Sequence, residues 1–263
     1  MQKRTKLKNR IIEISALVLF ITLLVLEFSG VTFGKDEKEA ALWKMIIPRL
    51  IGGVVFLLLI IRVRYRVFGS GERRCKIGYL LCLPCLLVAV NNFPFIGIAT
   101  GNITVIRADL LPIFLLECFA IALYEEMAFR GFVFPYILEK LRRGRLQIFF
   151  SIVLSGAVFS IVHLTNLFSG GSPGGVILQI GYSFLIGSMC AVVLLRTANI
   201  WACVLIHTVY DFGGLFVPNV AQGKIWDGAT VTITAVLGVL VLLWTVALFL
   251  KTEDKDAERL LYR

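Results

Sequence analysis

Two adjacent glutamates and an arginine lie close together in an otherwise apolar stretch of the chain. Glu125 and Glu126 are followed by Arg130. On an α-helix Glu126 and Arg130 share one face and can form an ion pair. Glu125 points about 100° away and is left free for another task. The plainer alternative is a structural ion pair with a spare carboxylate that bonds to a neighbouring helix.

The only two histidines of the protein also fall inside apolar stretches. His163 follows Phe159 by four residues, and His207 precedes Asp211 by four. A lone histidine on an apolar helix face is usually a core residue with satisfied hydrogen bonds. Because the whole histidine complement lies in apolar helices, and one member has a carboxylate a turn later, the pattern favours a shared site.

The spacing of Glu125 and His163 about a turn predicts that they lie at the same depth. Gly144 stands in a basic turn between two apolar stretches, 19 residues after Glu125 and 19 residues before His163. Equal arms of an antiparallel helix pair bring the two side chains level, as a Glu–His pair acting on one water requires. His207 lies nearer to the end of its own stretch. A kink at Pro135, or an extension of the hairpin beyond the bilayer, would bring the three side chains level, and both remain open.

The elements that must position these side chains are apolar helices. Hydrophobic residues make up 58% and charged residues 17% of the 263, against about 45–50% and 25% in soluble proteins. Blocks close to the roughly 20 residues that cross a bilayer recur at 11–30, 45–65, 77–98, 110–134, 147–168, 175–195, 200–218 and 230–250. We therefore predict an all-α polytopic membrane protein, a bundle of about eight transmembrane helices. A single transmembrane domain (11–250) lies between a basic N-terminus (1–10) and a charged tail (251–263).

Membrane depth makes the ionisable side chains informative. At a helix centre each costs at least roughly 2.5–3.5 kcal/mol unless it is paired or hydrated. The two glutamates, the two histidines and Asp211 are therefore candidate site residues.

The basic residues predict an orientation. Of the 27 lysines and arginines, 20 lie in the N-terminus, the second, fourth and sixth connections and the tail. Such residues prefer the cytoplasmic side, so both termini are predicted to be cytoplasmic in a multi-pass protein of a bacterial-type plasma membrane. A cationic inner surface favours anionic lipid headgroups. The net charge of +10 therefore indicates orientation, and we expect no nucleic-acid partner.

Two local patterns have plain interpretations. Residues 1–30 begin like a signal peptide, but Glu13 and Glu27 interrupt a long apolar stretch, which favours an uncleaved first span. Cys82 and Cys85 have the spacing of a redox pair without a thioredoxin-like context. We interpret all six cysteines as small packing residues.

The three motifs, in this order, resemble the CPBP family of intramembrane proteases (the CAAX-protease and bacteriocin-processing, or Abi, group). That family's pattern is EExxxR, then FxxxH, then HxxxN or HxxxD, on successive membrane helices. The resemblance covers roughly residues 108–216, and it implies an endopeptidase that acts on membrane-embedded or lipidated peptides or proteins. CAAX processing, maturation of a bacteriocin or signalling-peptide precursor and self-immunity all fit this implication. The matches are Glu125, Glu126 and Arg130, then Phe159 and His163, then His207 and Asp211.

The resemblance also implies roles for the individual residues. Glu125 would be the general base that activates a water molecule, with His163 holding that water. His207 and Asp211 would stabilise the oxyanion and orient the site. An ionised aspartate donates no hydrogen bond, so Asp211, where asparagine is common, is favoured as an orienter of His207. The structural supports would be Glu126, Arg130 and Phe159.

The cofactor stays open at this point, as do two other classes of function. Catalysis by glutamate and histidine alone is one reading, and Zn²⁺ is the other, although no HExxH helix is present. The same side chains fit a proton- or cation-coupled transporter or a non-catalytic immunity or scaffold protein, and no inverted repeat supports transport. Only a protease yields a cleavage product. The ligands of a metal would be Glu125, Glu126, His163 and His207.

Overall fold

The chain folds into a bundle of helices in the computed structural model. The described residues are 33–141, 144–224 and 226–261, together with Ile14, Val18, Ile21 and Thr22. The predicted first span at 11–30, and with it the question of a signal peptide, lies outside the described residues apart from those four positions. So does the predicted boundary between the basic N-terminus and the transmembrane domain.

Nearly all of the secondary structure is helical. A π-helix spans Met127–Val133, and short 3₁₀ helices span Ala108–Leu110 and His163–Leu167. The strands β1 (Ile103–Val105) and β2 (Ala221–Gly223) form one short antiparallel pair. In chain order the α-helices are α1 (Glu37–Val63), α2 (Arg73–Leu81), α3 (Leu83–Asn91), α4 (Phe95–Ala99), α5 (Leu111–Glu126), α6 (Phe134–Lys140), α7 (Arg145–Val162), α8 (Pro173–Thr197), α9 (Ile200–Gly214), α10 (Phe216–Val220), α11 (Gly228–Leu250) and α12 (Asp254–Leu261).

Several helices are long and apolar enough to cross a bilayer, which confirms an all-α polytopic membrane protein. In the described part of the chain, five segments qualify by length and composition. The segment formed by α5, the π-helix and α6 does not qualify, and neither does the 15-residue α9. These two carry most of the ionisable side chains at the centre of the bundle, and a total of about eight spans stays a prediction. The qualifying segments are Glu37–Val63, Arg73–Asn91, Leu146–Leu167, Pro173–Thr197 and Gly228–Leu250.

Two of the predicted spans are interrupted. The span expected at 77–98 begins at Arg73 and breaks at Cys82. A new helix begins at Leu83 with Pro84 in its first turn, because proline has no N–H for the preceding turn. The span expected at 200–218 breaks at Leu215. There α9 approaches the loop after α3 so closely that a Cβ on Gly213 would lie 2.5 Å from the backbone of Asn92.

The segment formed by α5, the π-helix and α6 is the central element of the bundle. It packs along α1 on one side and α9 on the other, and α7 and α8 cover its second half. From Ala120 to Phe132 every residue is buried. Pro135 cannot donate a backbone hydrogen bond to the preceding turn, and the wider π register ends just before it. The glutamates and the arginine therefore lie where the α and π registers meet.

The basic connections gather at one end of the bundle. Phe68 pairs with Asn199 across two connections, and the N–H of Arg66 donates to the carbonyl of Leu260 in α12 at 2.9 Å. The opposite end carries the strand pair and an ion pair between Arg107 and Asp36 at 2.8 Å. The alternation of basic and non-basic connections therefore corresponds to two physical ends.

Candidate active site

Glu126 is the buried centre of the site and joins two of the sequence motifs. Its Oε1 lies 3.1 Å from Nη1 of Arg130, and it accepts a hydrogen bond from Nδ1 of His207 at 2.7 Å. Glu126 and Arg130 are essentially inaccessible to solvent. The ion pair expected from the four-residue spacing is present. The same carboxylate also fixes the orientation of the His207 ring.

The other nitrogen of His207 faces two more carboxylates. Nε2 lies 3.7 Å from Oε2 of Glu125 and 3.5 Å from Oδ2 of Asp211. The shortest contact to the ring is therefore made by Glu126, whereas the sequence favoured Asp211 as the orienting residue. Asp211 shares the Nε2 side of the ring with Glu125, and its buried Oδ2 accepts no hydrogen bond from the described residues.

The position of Glu125 on the helix suggested that its carboxylate would be free. Instead, Arg49 of α1 binds it. Nη1 of Arg49 donates to Oε1 of Glu125 at 2.7 Å, and both side chains are 11% exposed. Arg49 was not among the residues predicted from the sequence. The available signal was an arginine inside the apolar span predicted at 45–65, where a charged side chain is as costly as the glutamates.

The charges in this cluster balance when His207 is protonated. The three carboxylates of Glu125, Glu126 and Asp211 contact two guanidinium groups and one imidazole. Buried charges are tolerated when they are paired and hydrogen-bonded. A charged His207 gives three positive and three negative groups, and in that form its Nε2 carries a proton that can be donated to an anionic oxygen.

His163 lies at the end of α7, where the helix tightens into a 3₁₀ turn. Its Nδ1 lies 3.3 Å from the amide nitrogen of Gln179, and the amide oxygen of Gln179 accepts from Asn166 at 2.8 Å. With the amides assigned this way, Gln179 donates to Nδ1, and the ring proton resides on Nε2. That Nε2 is buried and has no hydrogen-bond partner in the described part of the chain. Neither Gln179 nor Asn166 was a sequence candidate.

Phe159 brings the two histidines and the arginine together. Its ring packs edge-on against His163 and His207, with centroids 5.3 and 6.0 Å away, and the guanidinium of Arg130 lies 4.1 Å from its centre. A Cβ on Gly187 of α8 would collide with Arg130 and Phe159. Close approach of the α8 backbone is therefore part of the site.

The two histidines pack against the same Phe159 ring, and His207 lies close to the glutamates even though it is near the start of α9. His207 contacts Glu125, and His163 interacts electrostatically with both. The end of the hairpin lies against the tail, because α6 packs against the tail helix α12 and Tyr65 donates to Glu139 at 2.9 Å. The kink at Pro135 and the extension beyond the bilayer both stay predictions.

A second buried carboxylate lies two helical turns before Glu125. Glu117 of α5 is 5% exposed, accepts a hydrogen bond from Asn219 at 3.1 Å, and interacts electrostatically with Arg49 and Asp211. Glu117 was also not among the residues predicted from the sequence. Its spacing of eight residues from Glu125, on the same helix face, was the available signal.

The arrangement does not gather the expected metal ligands around one point. In the described part of the chain, only Glu126, Cys190 and Cys203 bring three ligand atoms within 4.8 Å of one another. Glu126 is bound to Arg130 and His207, and Sγ of Cys203 donates to the carbonyl of Cys190 at 3.2 Å. All six cysteines are free and buried, as expected of packing residues.

Comparison with known proteins gives a family. Residues 107–213 match the family model described as type II CAAX prenyl endopeptidase Rce1-like. This range contains all three motifs, and Arg49 lies outside it. Searches of curated proteins and of solved structures found no match. The motifs and the family model agree, and the segment 107–213 belongs to the CAAX-protease (CPBP) family, whose members are intramembrane endopeptidases.

Proposed function

We propose that the protein hydrolyses peptide bonds at the membrane with a water molecule activated by Glu125, and without a metal. The observation that carries this proposal is the unused Nε2–H of His163, which is buried and belongs to a ring that interacts electrostatically with Glu125. A hydrogen-bond donor next to a carboxylate can hold one water between them. The donor fixes the oxygen of that water, and the carboxylate takes its proton.

The chemistry follows from the positions of the side chains. A proton of the water passes to Oε2 of Glu125, and the resulting hydroxide attacks the scissile carbonyl carbon. The charged His207 faces this side and donates its Nε2–H to the oxyanion that forms. Glu125 then returns its proton to the leaving nitrogen, the C–N bond breaks, and a new carboxyl group and an amine result.

Four residues act by holding the reacting groups in place. Arg49 binds Oε1 of Glu125, so that Oε2 is directed towards His207. Glu126 fixes the His207 ring through Nδ1, and Arg130 neutralises Glu126. Asp211 lies on the Nε2 side and favours the protonated form of that ring. Asp211 accepts hydrogen bonds and does not donate them when ionised, so it supports His207 without contacting the oxyanion.

Several ligand atoms of the expected metal site are already engaged with other side chains, which argues against a metal. A catalytic zinc needs three protein ligands within about 2.0–2.3 Å of one point. The four expected ligands do not form such a group, because Nδ1 of His207 is bound to Glu126 and Oε1 of Glu125 to Arg49. We therefore expect chelation with EDTA or 1,10-phenanthroline to leave cleavage unchanged. Loss of cleavage on chelation and recovery with Zn²⁺ would establish a metalloprotease instead.

We propose a membrane-embedded or lipidated peptide or protein as the substrate. The site lies inside a bundle whose outer helices expose apolar side chains along their length. Substrates delivered from the bilayer therefore reach it more readily than soluble peptides. The family description names prenyl endopeptidases, which makes a farnesylated peptide ending in a CAAX sequence the first substrate to test. Bacteriocin or signalling-peptide precursors are the second group.

The test uses the full-length protein in liposomes with a farnesylated CAAX peptide and the same peptide without the lipid. Mass spectrometry should detect the released C-terminal tripeptide for the wild type and not for Glu125→Gln. Glu117→Gln is the matched control, since it removes a buried carboxylate of the same helix away from the reacting atoms. If neither peptide is cleaved, the membrane peptidome of cells with and without the protein extends the search.

Two other outcomes would replace the proposal. Tight binding of a bacteriocin without any product would indicate a non-catalytic immunity protein. Proton uptake into liposomes that depends on Glu125 and Glu117 would indicate transport. Equal cleavage by the wild type and by Glu125→Gln would remove Glu125 as the general base.

A further inference from the structure

A basic cavity of about 550 Å³ opens at the charged end of the bundle, away from the glutamates and histidines. Its size lies within the range of roughly 300–1,000 Å³ that is usual for small-molecule sites. Five of its lining side chains are basic, and Glu253 is the one carboxylate among the described residues that line it. The cavity is therefore strongly cationic. The basic residues are Arg73, Arg74, Arg196, Lys251 and Lys255.

Two of these arginines carry hydrogen-bond donors that the protein leaves unused. Arg196 is 7% exposed, and its Nη1 donates to the carbonyl of Lys251 at 3.2 Å. Its buried Nε has no hydrogen-bond partner in the described part of the chain, and the same holds for Nε of Arg74. A buried donor without an acceptor costs about 1–3 kcal/mol. Two such guanidinium donors in one cationic cavity point to an anionic acceptor with several oxygens.

The carboxylates near the cavity are already engaged. Arg74 binds Glu253 at 2.8 Å and Asp256 at 2.9 Å, and Lys255 binds the other oxygen of Glu253 at 2.7 Å. Arg74 takes part in two of these three ion pairs. Arg73 and Lys251 form no ion pair with a carboxylate among the described residues. The side chains that line the cavity therefore keep an excess of positive charge.

The surroundings of the cavity favour a lipid over a soluble anion. The cavity lies where three membrane helices reach the same end: α2 begins, and α8 and α11 end there. Ile77 lines the cavity and is 44% exposed, and Leu80 and Leu250 beside it are 68% and 52% exposed. Trp244 donates to the carbonyl of Leu81 on the same side, and tryptophan marks the membrane–water boundary. A charged headgroup and its acyl chains would find matching surfaces here.

We propose that this cavity binds the phosphate of an anionic phospholipid, with the acyl chains lying along the apolar faces of α2 and α11. Guanidinium groups suit phosphate because they bind two of its oxygens at once. The bound lipid also fastens the tail helix, since Arg74 contacts the lipid phosphate and the two carboxylates at the start of the tail. The site is separate from the proposed catalytic cluster and does not depend on it.

The test is native mass spectrometry of the full-length protein in detergent, titrated with phosphatidylglycerol and, separately, with phosphatidylcholine. Phosphatidylglycerol should bind the wild type as a saturable one-to-one adduct, and phosphatidylcholine should not. Arg73→Gln combined with Lys251→Gln removes two exposed cations of the cavity. Since each basic residue near a lipid surface contributes about fivefold in affinity, the double variant should bind more than tenfold more weakly.

The matched control is Arg62→Gln combined with Arg66→Gln, which removes two exposed cations outside the cavity. This variant should bind phosphatidylglycerol like the wild type. Equal weakening by both double variants would show a general charge effect and overturn the site. Displacement of the lipid by millimolar inorganic phosphate would overturn the lipid assignment and leave a soluble anion as the ligand.

Discussion

Replacement of Glu125 by glutamine separates the catalytic role of this carboxylate from its structural one. Glutamine has nearly the same shape, keeps a hydrogen-bonding oxygen and cannot take a proton. In the structure Glu125 has two partners, Arg49 at 2.7 Å and His207 at 3.7 Å. The substitution therefore removes the proton acceptor and also half of an ion pair.

The two effects have different magnitudes. Loss of a general base costs on the order of 10²–10⁴ in rate. Loss of one partner of a buried ion pair costs about 3–5 kcal/mol of folding stability, because the other charge stays buried. Both side chains are 11% exposed, so we expect the lower end of that range, about 3 kcal/mol. Arg49→Met added to Glu125→Gln removes both charges and should recover most of the stability without any recovery of the rate.

Two measurements on the same detergent-purified samples decide the question. Unfolding is followed by thermal denaturation, and turnover by release of the C-terminal tripeptide from the substrate peptide. His163→Ala should lose a comparable factor in rate. Combined with Glu125→Gln it should be little worse than either alone, because groups that act on one water are not additive. A Glu125→Gln protein that turns over at the wild-type rate would refute the reasoning, and so would a double variant with Arg49→Met that regains the rate.

Three further predictions concern the scaffold. Arg130→Ala leaves Glu126 unpaired and should lower the free energy of unfolding by about 3–5 kcal/mol, with only partial rescue by lysine, which has no planar fork; wild-type unfolding of the alanine variant would contradict this. Hydrogen bonds from Lys255 and Arg74 lower the pKa of Glu253 to about 2. The ionised Glu253 therefore stabilises the docked tail fully above its unfolded pKa of about 4.3, and this stabilisation declines as the pH falls towards 2. The protection factors of amides 254–261, which correct for the pH dependence of intrinsic exchange, should therefore fall over that window more in the wild type than in Glu253→Gln. In a background without native cysteines, a cysteine at position 35 should react with an impermeant reagent from outside the cell and one at position 70 should not; the reverse result would invert the proposed orientation.

The sequence identified most of the residues in the cluster but not how they pair. The spacing of Glu126 and Arg130 on one helix was sufficient to predict their contact, because neighbours on the same helix are set by its geometry. The equal arms about Gly144 predict that Glu125 and His163 lie at the same depth, and the two side chains interact electrostatically. The partner of Glu125 could not be derived, since Arg49 belongs to a helix that lies 76 residues away in the chain. The orienting partner of His207 was misjudged for a similar reason. The contact with Glu126 crosses between helices, whereas Asp211 is its neighbour in sequence.

Composition and local spacing alone determined that the chain is a bundle of membrane helices and which ionisable side chains it carries at depth. Those properties follow from the bilayer, which demands long apolar helices, and from the period of the helix. Tertiary structure decided the rest. It placed Arg49 on Glu125, left Nε2 of His163 without a partner among the described residues, packed both histidines against Phe159, and arranged five basic side chains around one cavity. These contacts depend on how helices rotate and slide against each other. The packing of small residues such as Gly187 and Gly213 sets that arrangement, and no single segment of the chain encodes it.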